Sequence, residues 1–210
     1  MRFFIRGDRP FVENEFTRVD YSSSLLRTAS KFLNDIGEKE FKNNPHHFFL
    51  MSTQLRTTLA ILERLKIRDL GKITFLDLGC GSDPPIDHPD NSPSNYPHKP
   101  YLARTLTHLG VRVIGIDRGP LDKETFEHHS LDLMCPDSLS FIPSRSIDVV
   151  HSYLLECSPS LHREYQEIKK DLPQILFPQI LRVLREGGYC ISDFKFEELE
   201  KIPEFRTKVY

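Results

Sequence analysis

Ile73-Thr74-Phe75-Leu76-Asp77-Leu78-Gly79-Cys80-Gly81 is an apolar strand that runs directly into an acidic turn holding two glycines. Glycine lacks a Cβ, so Gly79 and Gly81 allow backbone conformations and ligand distances that other residues forbid, and Asp77 can anchor the loop or reach a hydroxyl or cation. A second apolar run, Val111-Arg112-Val113-Ile114-Gly115-Ile116, ends in Asp117. Open α/β sheets place at such a strand end the carboxylate that accepts hydrogen bonds from a ribose diol. Both features therefore point at one nucleoside.

The interval from Gly81 to Asp117 is 36 residues, where a dinucleotide unit has about 20. The excess is the stretch from Ser82 to Pro100, which carries Pro84, Pro85, Pro89, Pro93, Pro97 and Pro100 among Asp, Asn, Ser and His. A loop this long inside a domain is typically functional or disordered. Removing it restores the interval and starts the following helix near Tyr101, with the loop arching over the ligand mouth.

Around this centre the chain alternates short apolar strands with helices. The pattern predicts strand 73–78, helix 101–109, strand 112–116, a short strand or turn at 130–133, strand 147–151, helix 164–184 interrupted by Pro173 and Pro178, and strand 189–194. Gly187-Gly188 ends the long helix as a turn. This is a mainly parallel, doubly wound sheet with helices on both faces. Ahead of it, Leu25, Leu26, Ala29, Phe32 and Leu33, and then Met51, Leu55, Leu59, Ile61, Leu62 and Leu65, recur at helical spacing. Residues 1–70 read as a helical extension or lid on the core domain 71–210.

At 210 residues, with 39% hydrophobic and 28% charged, the chain supports one sizeable core. A net charge of -2 gives no strong nucleic-acid signal. Cys80, Cys135, Cys157 and Cys190 are widely spaced and form no Cys-x-x-Cys pair, which suits reduced thiols in a cytoplasmic protein. The charged N-terminus is unlike a secretory signal, and no apolar run approaches the roughly 18 residues needed to span a bilayer. The pairs His46-His47 and His128-His129 do not predict a metal site, because adjacent side chains diverge on a regular element and no ordered carboxylate set joins them.

The same residues resemble the Rossmann-like, class I S-adenosylmethionine-dependent methyltransferases, over roughly 73–194. Leu76-Asp77-Leu78-Gly79-Cys80-Gly81 is similar to the family's glycine-rich motif, which implies backbone contacts to the methionine part of the cofactor from Asp77, Gly79, Cys80 and Gly81. Asp117, with Arg118 beside it, matches the acid that holds the ribose hydroxyls. Ser130-Leu131-Asp132-Leu133 matches the segment in which an acid, here Asp132, meets the adenine amino group and a neighbouring apolar residue, here Leu133, covers the ring. Ile147-Asp148-Val149-Val150-His151-Ser152 matches the fourth strand and the loop beside the transferred methyl, and Leu184 to Ile191 the helix end, turn and fifth strand. The order of these segments carries the resemblance.

The resemblance implies S-adenosyl-L-methionine as cofactor and methyl transfer to an unidentified acceptor, a small molecule being favoured. His151 is the candidate for orienting the acceptor or taking its proton, and Tyr153 or Glu156 for binding its polar groups. Asp148, at a strand start, reads as structural. Two readings compete with this one. The third glycine of a Gly-x-Gly-x-x-Gly dinucleotide motif falls on Pro84, and no phosphate-binding Gly-x-x-x-x-Gly-Lys-Ser/Thr sequence is present, so redox and kinase functions recede. The Asp/Asn-Pro-Pro-aromatic sequence of methyltransferases acting on bases or amides is also missing after the fourth strand.

The family's sheet ends in a further helix and an antiparallel strand pair, for which residues 195–210 leave little room. A shortened sheet edge follows, exposed or paired with another chain, and with it a possible protein partner or self-association. A weakly active or inactive methyltransferase-like subunit working through a protein or RNA partner is the alternative function.

Overall fold

In a computed structural model of the protein, residues 3–6, 9–12, 69–82, 99–152, 155 and 172–192 are described, together with helical positions 27–29, 31–32, 34–35, 54–55, 58–59 and 62. Strand β3 (Thr74–Leu78) lies at the centre, built from the opening apolar run. It pairs in parallel with β4 (Arg112–Asp117) on one side and with β6 (Ile147–Ser152) on the other. Beyond β4 lies β5 (Glu127–Ser130), and beyond β6 lies β7 (Leu184–Ser192), both again parallel. The chain thus walks outward from β3 through β4 to β5, then returns to the far side of β3 for β6 and β7. That reversal makes the gap between β3 and β6 the topological switch point of a doubly wound, Rossmann-like sheet, which is the fold class read from the sequence.

Strand alternation sorts the core onto two faces. Leu76, Leu78, Ile114, Ile116 and Val150 meet Leu172, Leu176, Phe177 and Ile180 of helix α2 (Leu172–Val183) on one face. Phe75, Val113, Val149 and Ile191 meet Tyr101, Leu102, Ala103 and Leu106 of α1 (Tyr101–His108) on the other. Ala29, Leu55, Leu59 and Leu62, all helical and all buried, join this second cluster. Burial of each such Leu or Phe contributes on the order of 1.5–3 kcal/mol. Helix α2 runs unbroken from Leu172 to Val183 with Pro173 in its first turn and Pro178 inside it, so neither proline splits it, contrary to the sequence reading.

Three features differ from the sequence reading. Of the short strand or turn expected at 130–133, the turn is found, and an edge strand that the sequence reading does not mark lies just before it, at Glu127–Ser130, because an edge strand with exposed or half-exposed residues lacks the apolar alternation of a buried one. Strand β7 begins at Leu184, directly after α2, so Gly187-Gly188 falls within an irregular stretch of strand where the register shifts between Ile147 and Val149 of β6. Residues ahead of the helical positions also join the sheet. Strands β1 (Phe3–Arg6) and β2 (Arg9–Val12) form an antiparallel hairpin, and β1 pairs antiparallel with β7. The edge of β7 that the sequence reading leaves open is thereby occupied, and the outermost strand is β2.

The proline-rich residues 83–98, the segment 156–171 and the residues after Ser192 lie outside the described residues. Among the described residues no helix is long and apolar enough to cross a membrane, and no group of three or more His, Cys, Asp or Glu could hold a metal ion. Cys80, Cys135 and Cys190 are free thiols. Complete burial pushes the Cys190 thiol up to about 12, so it stays protonated.

Candidate functional site

At the carboxyl end of β3 the chain turns through Gly79 at φ +74° and Gly81 at φ +103°, left-handed conformations that side-chain-bearing residues rarely adopt. The bend hangs from the end of β4. Both Gly79 N–H and Cys80 N–H donate to the Ile116 carbonyl, at 2.8 and 3.1 Å. One residue further, Gly81 N–H donates to Asp117 Oδ2 at 2.9 Å, while Asp117 Oδ1 accepts the Gly119 N–H at 3.2 Å. Sequence reasoning aims the bend and Asp117 at one place, and the structure brings them together. A carboxylate offers about four lone-pair sites, so Asp117 keeps acceptor capacity beyond these two amides.

Other side chains close over this arrangement. A Cβ built on Gly79 would stand 2.7 Å from Leu155 Cδ1, and one on Gly119 would run into the Ser82 side chain. Leu155 therefore roofs the bend, and Ser82 fills the space beside the Asp117 loop. The Cys80 side chain turns inward, its Sγ close against Gly115. Burial holds the Cys80 thiol well above its ordinary pKa, and the Asp77 and Asp117 carboxylates add to the effect. Cys80 thus offers no thiolate, and its N–H is already spent on β4.

Asp77 does not tie down its own loop. In the β3–β6 register it stands opposite His151, and His151 Nδ1 lies 2.8 Å from Asp77 Oδ1, with both side chains almost fully buried. Phe75 stacks near the imidazole at a centroid distance of 5.9 Å. Ser152, the last residue of β6, is also fully buried, and its Oγ has no hydrogen-bond partner. Tyr153 and Glu156 lie outside the described residues.

The segment assigned to adenine is arranged as a turn. Leu131 N–H donates to the Asp117 carbonyl at 2.9 Å, fastening the turn to β4. Asp132 Oδ1 accepts the Met134 N–H at 2.9 Å, and Oδ2 stands 3.8 Å from Arg118 Nε. Leu133 is buried in the core on the α2 face. Asp132 and Arg118 therefore flank Asp117 at the rim, whereas Leu133 serves packing. Asp148 sits at the opposite, amino end of the sheet, where it accepts the Thr74 N–H at 2.8 Å and pairs with Arg185. That is a structural role, as its strand-start position suggests.

Two tie points were not visible in the sequence. Arg104 of α1 grips Glu124, in the loop between Asp117 and β5, through Nε at 3.1 and 3.2 Å and through Nη2. Gln179 and Arg182 of α2 hold the 135–142 segment through its backbone, including the Leu139 N–H to Gln179 Oε1 at 2.9 Å and Arg182 Nη1 to the Ile142 carbonyl at 2.8 Å. Helical spacing alone gives no sign of which surface Arg or Gln reaches a distant loop.

No protein-family model and no curated protein matches the chain. Among solved structures it is similar to a SAM-dependent methyltransferase from Archaeoglobus fulgidus, at 18% identity and a TM-score of 0.35, over 66% of this chain and 53% of that one. It is also similar to the CurJ carbon methyltransferase, at 14% identity and a TM-score of 0.42, over 88% of this chain and 48% of that one. The chain spans about half the length of these two proteins. At such scores the fold assignment rests on strand order and register, not on these likenesses.

Proposed function

We propose that the protein is an S-adenosylmethionine-dependent methyltransferase acting on a small-molecule acceptor. The observation that supports it most is the hydrogen bond from Gly81 N–H to Asp117 Oδ2, which sets a left-handed glycine bend and a strand-end carboxylate side by side at the sheet's carboxyl edge, next to the switch point. Asp117 would hold ribose hydroxyls with its remaining lone pairs, and the bend at 79–81 would lie against the sulfur-bearing chain. Arg118 and Asp132 would border the base.

S-adenosylmethionine, when bound, supplies an electrophilic methyl on a sulfonium that is already a good leaving group. The protein's tasks are then to hold the acceptor in line, exclude water and manage one proton. His151 suits the last task. Asp77 holds its Nδ1 at 2.8 Å, which sets the ring's orientation. Buried side chains around the pair exclude water from it. The N-terminal helical positions, packed on the α1 face, extend the wall on that side.

The closure of Leu155 and Ser82 over the bend favours a second reading, a methyltransferase-like subunit that binds the cofactor weakly and works through a partner. Calorimetric titration of the full chain with S-adenosylmethionine and S-adenosylhomocysteine tests the choice. Saturable one-to-one binding supports the enzyme, and no binding of either at millimolar concentration supports the subunit. A parallel titration with a nicotinamide dinucleotide tests the redox class.

A further inference from the structure

His128 lies on β5 opposite Gly115 of β4, two residues before Asp117. Partners in a parallel register share a face and side chains alternate along a strand, so the imidazole and the Asp117 carboxylate stand on the same side of the sheet, the side of α1. With strands about 4.8 Å apart and about 3.3 Å of rise per residue, their Cα atoms are roughly 8 Å apart, a gap that two such side chains can bridge. Phe126 meets the His128 ring edge-on at a centroid distance of 6.4 Å. The residue is half-buried, yet its Nε2 is fully buried and makes no hydrogen bond. Buried polar atoms are almost always paired, and one that is not calls for a physical reason.

The charges around the ring decide what a proton on Nε2 would meet. Burial lowers the His128 pKa from the ordinary 6.5, the Asp117 carboxylate opposes this, His129 beside it on β5 adds to it, and Glu124 opposes it. Glu124 already gives both carboxylate oxygens to Arg104 of α1. Burial keeps the Cys80 thiol of the bend protonated. Asp122 and Lys123 of the intervening loop are exposed, and Arg118 and Asp132 face each other at the rim. Asp117 accepts the Gly81 and Gly119 amides and has lone pairs left, so it is the less committed of the two carboxylates that act on the ring. Those same lone pairs are the ones a ribose diol would use.

We infer that His128 is a proton-operated brake on the nucleoside site: once protonated, its ring donates to the Asp117 carboxylate, takes up the acceptor capacity that ribose hydroxyls need, and releases the adenosyl ligand as the pH falls. This rests on the methyltransferase reading. A neutral imidazole places no such demand on Asp117. By reciprocity, bound ligand disfavours the charged ring and lowers its pKa further. Affinity is thus full above the ordinary 6.5 and declines as the pH falls through the folded pKa beneath it.

The test is calorimetric titration of full-length wild type and His128→Gln with S-adenosylhomocysteine at about pH 7.5 and about pH 5.5, a window that brackets the histidine range. Wild type should bind several-fold more weakly at the lower pH, and His128→Gln should hold its affinity constant. A second readout uses wild type alone: the His128 Cε1–H resonance, followed by proton NMR against pH, should titrate at a lower pH with S-adenosylhomocysteine bound than without it. Equal wild-type affinity at the two pH values, a parallel fall in His128→Gln, or a His128 titration that the ligand does not move overturns the inference while leaving the cofactor assignment standing. If S-adenosylhomocysteine binds wild type at neither pH, the methyltransferase reading itself falls and carries this inference with it.

Discussion

His151 Nδ1 and Asp77 Oδ1 are 2.8 Å apart across the β3–β6 pair, in the interior and at the point where the sheet reverses its winding order. The pair is a hydrogen bond between two adjacent strands, whose residues two positions earlier on the same face, Phe75 and Val149, are apolar and buried. It fixes one imidazole nitrogen and aligns β6 against β3.

Breaking this pair from either side should therefore be costly and non-additive. Asp77→Asn and His151→Gln should each destabilise the protein by about 1–3 kcal/mol through an unsatisfied buried partner. In a double-mutant cycle by urea unfolding, the coupling should be about 0.5–3 kcal/mol. Additive losses would mean that the two side chains act independently.

Leu155 should behave as a roof and not as a wall of the ligand site. Leu155→Ala removes a buried side chain and should cost about 2–5 kcal/mol of stability. It should also tighten S-adenosylhomocysteine binding several-fold, because the bend no longer has to be uncovered. Weaker binding in a variant that remains folded at the assay temperature would show that Leu155 contacts the ligand.

The Arg104–Glu124 fork pins the loop after Asp117 to α1, with Glu124 8% and Arg104 20% exposed. Glu124→Gln, which keeps the shape and loses the charge, should lower stability by about 1–3 kcal/mol. The backbone amides of 118–124 should then exchange with deuterium faster than those of β3. Unchanged exchange in that loop would show that the fork does not hold it.

His128 gives the protein an acid sensitivity that can be assigned. Burial of its ring lowers its pKa from the ordinary 6.5, the Asp117 carboxylate opposes this, His129 adds to it, and Glu124 again opposes it. Its Nε2 is buried without a partner. Because the folded pKa lies below the unfolded one, the unfolded chain binds the proton more readily in the window beneath 6.5. Stability is thus complete above that value and declines as the pH falls through the window toward the folded pKa. Thermal melts from about pH 7.5 to about pH 5.5 should show a shallower decline for His128→Gln than for wild type. Parallel profiles would remove His128 as a source.

Much of this was legible in the chain because buried parallel strands write themselves as apolar runs. Phe75-Leu76, Val113-Ile114 and Val149-Val150 declare β3, β4 and β6, and the residues that close those strands, Gly79 to Gly81 and Asp117, follow directly. Strand β5 left no mark in the sequence because Glu127 to Ser130 line an edge and need no apolar face, whereas the turn expected after it is present. The β1–β2 hairpin was missed because Phe3 to Arg6 become a strand through pairing with Tyr189 to Ser192, far along the chain, and not through any local pattern. The Asp77–His151 pair spans 74 residues, a separation over which spacing carries no information. The closure of Leu155 over Gly79 is likewise a packing event with no local signature.

The measurement closest to the central claim is isothermal titration of the folded, full-length protein with S-adenosylhomocysteine, alongside Asp117→Ala. The account requires one binding site per chain in the wild type and at least about tenfold weaker binding in the variant, from the loss of charge-assisted bonds to the ribose and of the acceptor that sets Gly81. Absence of any binding at millimolar ligand, or equal affinity in both proteins, would contradict it.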